Sequence, residues 1–524
     1  MMRKNDSLVV LYKFLSLLLL TTTLTLLVAC NRNSEPNIET TVVPAVPAEI
    51  AKTVAAATPE SLTPTVVPTV PVEIAEVVAI ATLESFTPIV VPTVPAKIAK
   101  VVATKPPEFF TPTPVFPTTT SKATPKLIPT STSTTNLLLS VQRQLEWPID
   151  VGTSHFGALG NELDGFSGAW VRPLPGRFIW GLMEPSEGDY LWKASDNWVR
   201  KWQEDRLGVL VMIWPFAQWD QNICHAEDPP VETPRVFPQY DSNLLLRMYP
   251  PCKPQSYTSW LSKVVERYDG DGLNDMPGLK YPIRHWEIGN EPDMQSPNHT
   301  LFQGNSEAYL NLLKLSYITV KSADPNATVL IAAPSKWTPE VIEYWEPILA
   351  GGSNFFDIGN MHSLQASNDF HASEYRRQLD ASGSSSKPFW ITEAGVFMGG
   401  KPLEQEELAR ITIPNYASAF ASGAEVVFRL SRGHNTGQVL ETYLLAARTF
   451  GDFDVATSLT ENVVRFDMPD GRLVFALWDN GTLPDEVTGK VKVITYKGEE
   501  SSQDASVVIA EVPILVVVEA GGGR

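Results

Sequence analysis

Cysteine is almost missing from this sequence, with three in 524 residues. That excludes a fold held together by a dense disulfide framework. Histidine is scarce as well, with seven, and none falls in a His-Glu-x-x-His arrangement, so the zinc-helix motif is absent. No glycine-rich phosphate loop follows a strand-like run. Basic runs are lacking after residue 30, and the formal net charge is −18. Nucleic-acid binding needs clustered Lys and Arg to displace counterions, so that class is excluded. Asp269-Gly270-Asp271-Gly272 begins like a calcium loop, but the remaining ligands do not follow at the required spacing. It reads as a turn after a helix.

Apolar residues make up 43% of the chain, enough for a sizeable core in two or three domains. Arg3, Lys4 and Lys13 precede or enter an apolar run from Phe14 to Val28, followed by Ala29-Cys30. Positive charges before a short apolar run that ends in small residues mark an export signal. Leu27-Val28-Ala29-Cys30 resembles a bacterial lipoprotein box, which implies cleavage before Cys30 and lipidation of its thiol. An ordinary signal peptide or an uncleaved anchor is the alternative. The expected location is the cell envelope, on the extracytoplasmic face, lipid-anchored at Cys30. Cys224 and Cys252 then remain, and in an exported chain they suggest a disulfide within one loop. Two buried free thiols is the other reading.

Residues 31–135 are rich in Pro, Thr, Val and Ala, with related segments starting at Val42, Val66 and Val90. Each repeat carries several prolines, which remove backbone donors, and little that can be buried. The region is expected to be a disordered, extended linker reaching roughly 300 Å at most.

From 136 to 453 strand-like and helix-like runs alternate. Candidate strands are Ile149 to Ser154, Gly168 to Arg172, Gly208 to Trp214, Ile283 to Asn290, Thr328 to Ala333, Phe356 to His362, Pro388 to Glu393 and Glu425 to Leu430. Leu310, Leu313, Tyr317 and Val320 share a helical face after a cap at Ser306; Ser195, Trp198, Val199 and Trp202 share another. Eight such units predict an α/β fold, a (β/α)₈ TIM barrel. From 454 to 520 the runs are short and parted by Asp-Gly, Asn-Gly and Lys-Gly, which predicts hairpins and a small C-terminal β-sandwich.

Chemistry in a barrel sits at the carboxyl ends of its strands. Glu291 ends the fourth candidate strand in Gly289-Asn290-Glu291-Pro292, and Glu393 ends the seventh. Two carboxylates flanking one bond are the minimum apparatus for glycoside hydrolysis. Neighbours in a regular strand point to opposite faces. Asn290 and Glu291 therefore both reach the mouth only if the strand breaks, which Gly289 permits and Pro292 enforces. The motifs Trp286-Glu287-Ile288-Gly289-Asn290-Glu291-Pro292 and Trp390-Ile391-Thr392-Glu393-Ala394-Gly395 resemble those of clan A glycoside hydrolases, nearest the β-xylosidase and iduronidase branch. The resemblance covers about residues 148–520. It implies a retaining reaction by double displacement on the O-glycosidic bonds of an oligo- or polysaccharide. Glu291 would be the proton donor and later base, Glu393 the nucleophile, and Asn290 the contact to the sugar 2-hydroxyl. Arg172 would hold Glu393 in its charged form. With that charge nearby, Glu291 is expected to keep its proton. The reaction requires no metal or cofactor.

The sequence departs from that group in two places. No tyrosine closely follows His362, the next being Tyr375, and Tyr281 lies on the wrong side of its strand to replace it. No tryptophan ends the eighth strand, which offers Phe428, Arg429 and Arg432; an arginine there would suit an acidic sugar or else make an ion pair. His362 is expected to line the pocket. His155 is placed at the end of the first strand, either in the pocket or in the core, and His285 is read as packing. Among fourteen tryptophans, Trp170, Trp180, Trp214 and Trp286 suit core or cleft, and Trp219 and Trp337 are the preferred sugar contacts. The partner is a carbohydrate, not nucleic acid, with membrane contact through the lipid and the chain acting as a monomer. The rival reading is a surface-tethered barrel that binds glycans without cutting them.

Overall fold

The computed structural model describes residues 144–160, 166, 168–231, 244–296, 299–365, 367–398, 403–430 and 437–520. All lie in the second of two units, residues 131–524. The signal segment, Cys30, the repeat linker and Arg432 lie outside the described residues.

The alternation from the sequence folds into a (β/α)₈ barrel. Its strands are β1 (Phe156–Ala158), β2 (Trp170–Val171), β3 (Gly208–Ile213) and β4 (His285–Ile288). A small hairpin of β5 (Gln295–Ser296) and β6 (His299–Thr300) interrupts the series. The barrel resumes with β7 (Thr328–Ile331), β8 (Gly359–Gln365), β9 (Phe389–Met398) and β10 (Ala424–Arg429). The sheet order is β7-β4-β3-β2-β1-β10-β9-β8, with every pair parallel. A bridge between Leu330 and Ile358 joins the two outer strands and closes the ring. The run Gly-Val-Leu-Val-Met-Ile of β3 is buried at every position, as a strand covered on both faces must be.

Helices pack outside the ring. One spans Ser306–Ala323, and its N-cap is Asn305, whose side chain accepts from the Ala308 amide, rather than Ser306. Another spans Lys193–Glu204 and buries Ser195, Val199 and Trp202. Inside, the barrel is layered. Trp170, Leu210, Leu330, Trp390, Val426 and Phe428 form an apolar plug near the amino end. A Cβ at Gly208 would lie 2.5 Å from the Trp170 ring, so only glycine lets that indole enter.

The first strand is displaced from its expected place. Ile149 is 95% exposed, and Ile149 to Ser154 run through turns and bends before β1. His155 therefore precedes β1 at the amino end of the barrel, where its ring stacks on Phe453. It does not face the carboxyl-end mouth.

Antiparallel strands begin at Val455: β11 (Val455–Thr460), β12 (Val463–Asp467), β13 (Leu473–Leu477), β14 (Lys490–Thr495), β15 (Glu500–Asp504) and β16 (Ile514–Val518). Their order is β11-β12-β13-β16-β14-β15. Alternate residues serve two cores. Val464, Phe466, Val474, Ala476, Leu515 and Val517 join the barrel core, with Phe466 stacked 4.3 Å from Phe450. Val463, Phe475, Leu477, Val493 and Val516 face a second core closed by Leu483, Val508 and Ala510.

Candidate active site

Arg172 follows directly on β2, and its side chain is fully buried at the barrel centre. Its Nε and Nη2 donate to the two oxygens of Glu287 at 2.6 and 2.8 Å. Nη1 donates to Glu393 Oε1 at 2.8 Å, and Nη2 also donates to Asn290 Oδ1 at 2.7 Å. A planar fork matches two carboxylates and an amide at once, which an ammonium would not. Burial works against the charge, but Glu287 and Glu393 outweigh it and hold Arg172 above the usual arginine pKa.

β4 stops as the Gly-Asn-Glu-Pro order requires. Gly289 has φ 78° and Glu291 φ 41°. The left-handed region suits glycine and is costly for glutamate. This twist turns both Asn290 and Glu291 inward, each 5% exposed. Glu393 reaches the same mouth by another device. Along β9, Ile391 pairs with Met361 and Glu393 with His362, leaving Thr392 as an extra residue in the ladder. A bulge of this kind re-aims a side chain, so Thr392 and Glu393, though neighbours, both contact groups inside the barrel.

His362, in β8, joins the two glutamates. Its Nδ1 lies 2.7 Å from Glu291 Oε1, and its Nε2 lies 3.0 Å from Thr392 Oγ1 and 3.7 Å from Glu393 Oε1. Burial pushes its pKa down to about 4, against the opposing pull of Glu393 and Glu287. Oxygens of Glu291 and Glu393 and a nitrogen of His362 all lie within 4.8 Å of one another. Both carboxylates open onto one cleft of about 490 Å³, lined also by Asp293, Met294, Ser335, Lys336 and Leu364. That size suits a small ligand or one unit of a larger one.

The cluster does not fit a resident cation. Arg172 already donates into Glu393, and both His362 nitrogens face partners. Asp269, Asp271 and Asp275 form a second acidic group, but they accept from the backbone amides of 270 to 273. That is the turn expected from the sequence.

The remaining expected residues are spread out. The Trp337 indole donates to the His362 carbonyl at 3.2 Å and stacks on His371. Trp219 donates to the Glu184 carbonyl and packs edge-on to Trp180. Neither lines the cleft that holds the two glutamates. Arg429 is turned out of the barrel toward Tyr443, beside a small separate cavity of about 40 Å³. The Tyr375 hydroxyl accepts from the Asn360 backbone N–H and does not touch Glu393. His285 packs between Trp170 and Trp390, as read from the sequence. Cys224 and Cys252 form a disulfide.

Sequence reasoning missed Glu287, Asn360 and Thr392. For Glu287 and Asn360 the signal was parity, since Glu287 shares the face of His285 on β4 and Asn360 that of His362 on β8.

No family sequence model matches the chain, and no curated protein matches it. Solved structures of similar fold include a family 39 glycoside hydrolase from the gut symbiont Bacteroides cellulosilyticus WH2, at 16% identity over 70% of this chain and 82% of that one, with TM-score 0.46. A thermostable GH51 alpha-L-arabinofuranosidase from Thermotoga petrophila RKU-1 is similar at 10% identity over 72% and 98%, with TM-score 0.47. A glucosidase from Croceicoccus marinus is similar at 14% identity over 69% and 92%, with TM-score 0.46. The barrel assignment rests on its own ladder of hydrogen bonds.

Proposed function

We propose that this chain is a retaining glycoside hydrolase of the clan A type, with Glu393 as nucleophile and Glu291 as acid and base. The observation that carries the reading is the carboxylate pair. Glu291 and Glu393 bring oxygens within 4.8 Å inside one open cleft. Retaining enzymes hold their carboxyl groups about 5–5.5 Å apart, whereas inverting ones need about 6.5–9.5 Å to admit a water between them.

In the first step Glu393 attacks the anomeric carbon, and the glycosidic bond breaks as Glu291 gives its proton to the leaving oxygen. Arg172 holds Oε1 of Glu393, which leaves Oε2 to form the new bond. In the second step Glu291 takes a proton from water, the hydroxide oxygen bonds to the anomeric carbon, and Glu393 is released. Asn290, fixed by Arg172, contacts the 2-hydroxyl beside the reacting carbon. The export signal, Cys30 and the repeat linker support the further reading of a lipid-tethered enzyme on a stalk at the cell envelope.

The test is a panel of aryl glycosides with the wild-type chain, Glu291→Ala and Glu393→Ala. Losing the acid is expected to cost about 10²–10⁴-fold, less with a good leaving group. Azide should restore turnover to Glu393→Ala with an inverted glycosyl azide, and to Glu291→Ala with a retained one. Near-normal rates in both variants on a substrate the wild type cleaves would overturn the assignment. Glycan binding without turnover by any form would favour the binding-protein reading.

A further inference from the structure

The two glutamates are linked by more than proximity. Starting at Arg172, a single hydrogen-bond chain runs through Glu287, Asn360, Thr392 and His362 to Glu291. The donors and acceptors along it can be assigned one by one.

A guanidinium only donates. Glu287, gripped by two N–H groups of Arg172, therefore accepts. Asn360 lies 2.9 Å from Glu287 Oε1, and an acceptor there requires the NH₂ side of the amide, which fixes the amide's orientation. Asn360 Oδ1 then faces Thr392 Oγ1 at 2.8 Å and must accept from it. A threonine hydroxyl has one hydrogen, now committed to Asn360. Thr392 Oγ1 can only accept from His362 Nε2, so the ring carries its hydrogen on Nε2. Glu393 Oε1, at 3.7 Å from the same nitrogen, favours that placement too. A neutral imidazole with hydrogen on Nε2 has a bare lone pair on Nδ1. That lone pair faces Glu291 Oε1 at 2.7 Å. Two acceptors at this distance repel, and the contact becomes a bond only if the carboxyl brings the hydrogen.

We infer that Asn360 and Thr392 are positioning residues that set the His362 tautomer and thereby keep the proton on Glu291, in the form a general acid needs. Every link then donates in one direction, from Glu291 toward the Arg172-bound Glu287, and aligned links polarise one another. The low imidazole pKa already described agrees with a singly protonated ring near neutrality. Other charged groups around the proton are Glu393 from β9, Arg172 after β2, Glu287 on β4, and Asp293 and Lys336 lining the cleft. The inference rests on the functional reading above only for the use made of the proton. The wiring itself can be measured without substrate.

The experiment uses the full chain labelled with ¹⁵N at histidine, with His362→Gln to assign the ring, and the infrared carboxylic C=O band that Glu291→Gln removes. The wild type should show His362 with hydrogen on Nε2 at neutral pH and a protonated Glu291 carboxyl. Asn360→Leu frees the Thr392 hydrogen to point at Nε2. The ring should then switch its hydrogen to Nδ1, and the Glu291 band should vanish about one pH unit or more lower than in the wild type. Thr392→Val, a second route should Asn360→Leu misfold, should move both signals in the same direction, whereas Thr392→Ser should keep the wild-type tautomer. On any cleaved aryl glycoside, the alkaline limb of kcat/KM should move with the band. A wild-type ring protonated on Nδ1 or on both nitrogens, or an unmoved tautomer in folded Asn360→Leu and Thr392→Val, overturns the inference. A wild type inert toward every glycoside would sink the functional reading instead, with the spectra still deciding the tautomer.

Discussion

Arg172 carries a fully buried charge, and its stability depends on the acids it grips. Glu287 contributes two of those hydrogen bonds, with no exposure of its own. Removing one partner of a buried ion pair leaves the other charge desolvated, a cost of about 3–5 kcal/mol. Glu287→Gln should therefore destabilise the folded chain by about that much in denaturant titration, since the new amide turns an N–H toward Arg172. A change below about 1 kcal/mol would show that the pair does not hold the centre together. Glu291 and Asn290 were legible in the sequence because Gly289 and Pro292 mark a strand that must stop. Glu287 was not. An acid in mid-strand looks the same to a reader whether it meets water or a guanidinium, and only the inward parity of β4 distinguishes the two.

At the scale of elements, seven of the eight barrel strands overlap the runs read from the sequence, and the first does not. Ile149 to Ser154 alternates like a strand, yet Gly152 takes φ 65° and the Trp147 indole donates to the Val151 carbonyl, so the segment turns. The bulge at Thr392 was equally hidden, because an inserted ladder residue leaves no mark on a period of two. The segment between Trp214 and Tyr257 was unreadable in fold, though its two cysteines were read as a pair. The helix Gln218–Cys224 is joined through Cys252 to the start of the helix Pro254–Tyr268, and Asp220 accepts from the amides of Cys252 and Lys253 at 2.8 Å. With a sequence separation of 28 residues, closing this loop in the unfolded chain is worth roughly 3–4 kcal/mol in the chain-entropy account. Replacing both cysteines by serine should lower Tm, and reductant should lower the wild-type Tm similarly while leaving the variant unmoved. A wild type whose Tm ignores reductant after its thiols are shown to be free would contradict this.

For the whole molecule, stability should depend on pH through buried groups, both inside the candidate site and away from it. His285 sits between Trp170 and Trp390 in the apolar plug, its Nδ1 buried. Burial pushes its pKa down to about 3, helped by the charge of Arg284. His362 lies at about 4. In the unfolded chain both return to about 6.5. Between those values the unfolded state binds more protons, so stability rises with pH there. The contribution is fully present above about 6.5 and is lost as the pH falls toward 4 and then 3, at up to about 1.4 kcal/mol per unit for each histidine. Asp269 acts the other way: burial raises it to about 7, so its share is lost as the pH rises from 3.8 to that value. A single melting curve would mix these trends. The difference in unfolding free energy between the wild type and His285→Phe cancels what the two share, including the repulsion from the net charge. That difference should be flat above about pH 6.5 and fall steadily from there to pH 4, because the unfolded wild-type chain takes up a proton at His285 that the folded imidazole, held between Trp170 and Trp390, does not. A difference independent of pH across that window would mean that His285 titrates alike in both states, and that the plug admits water to it.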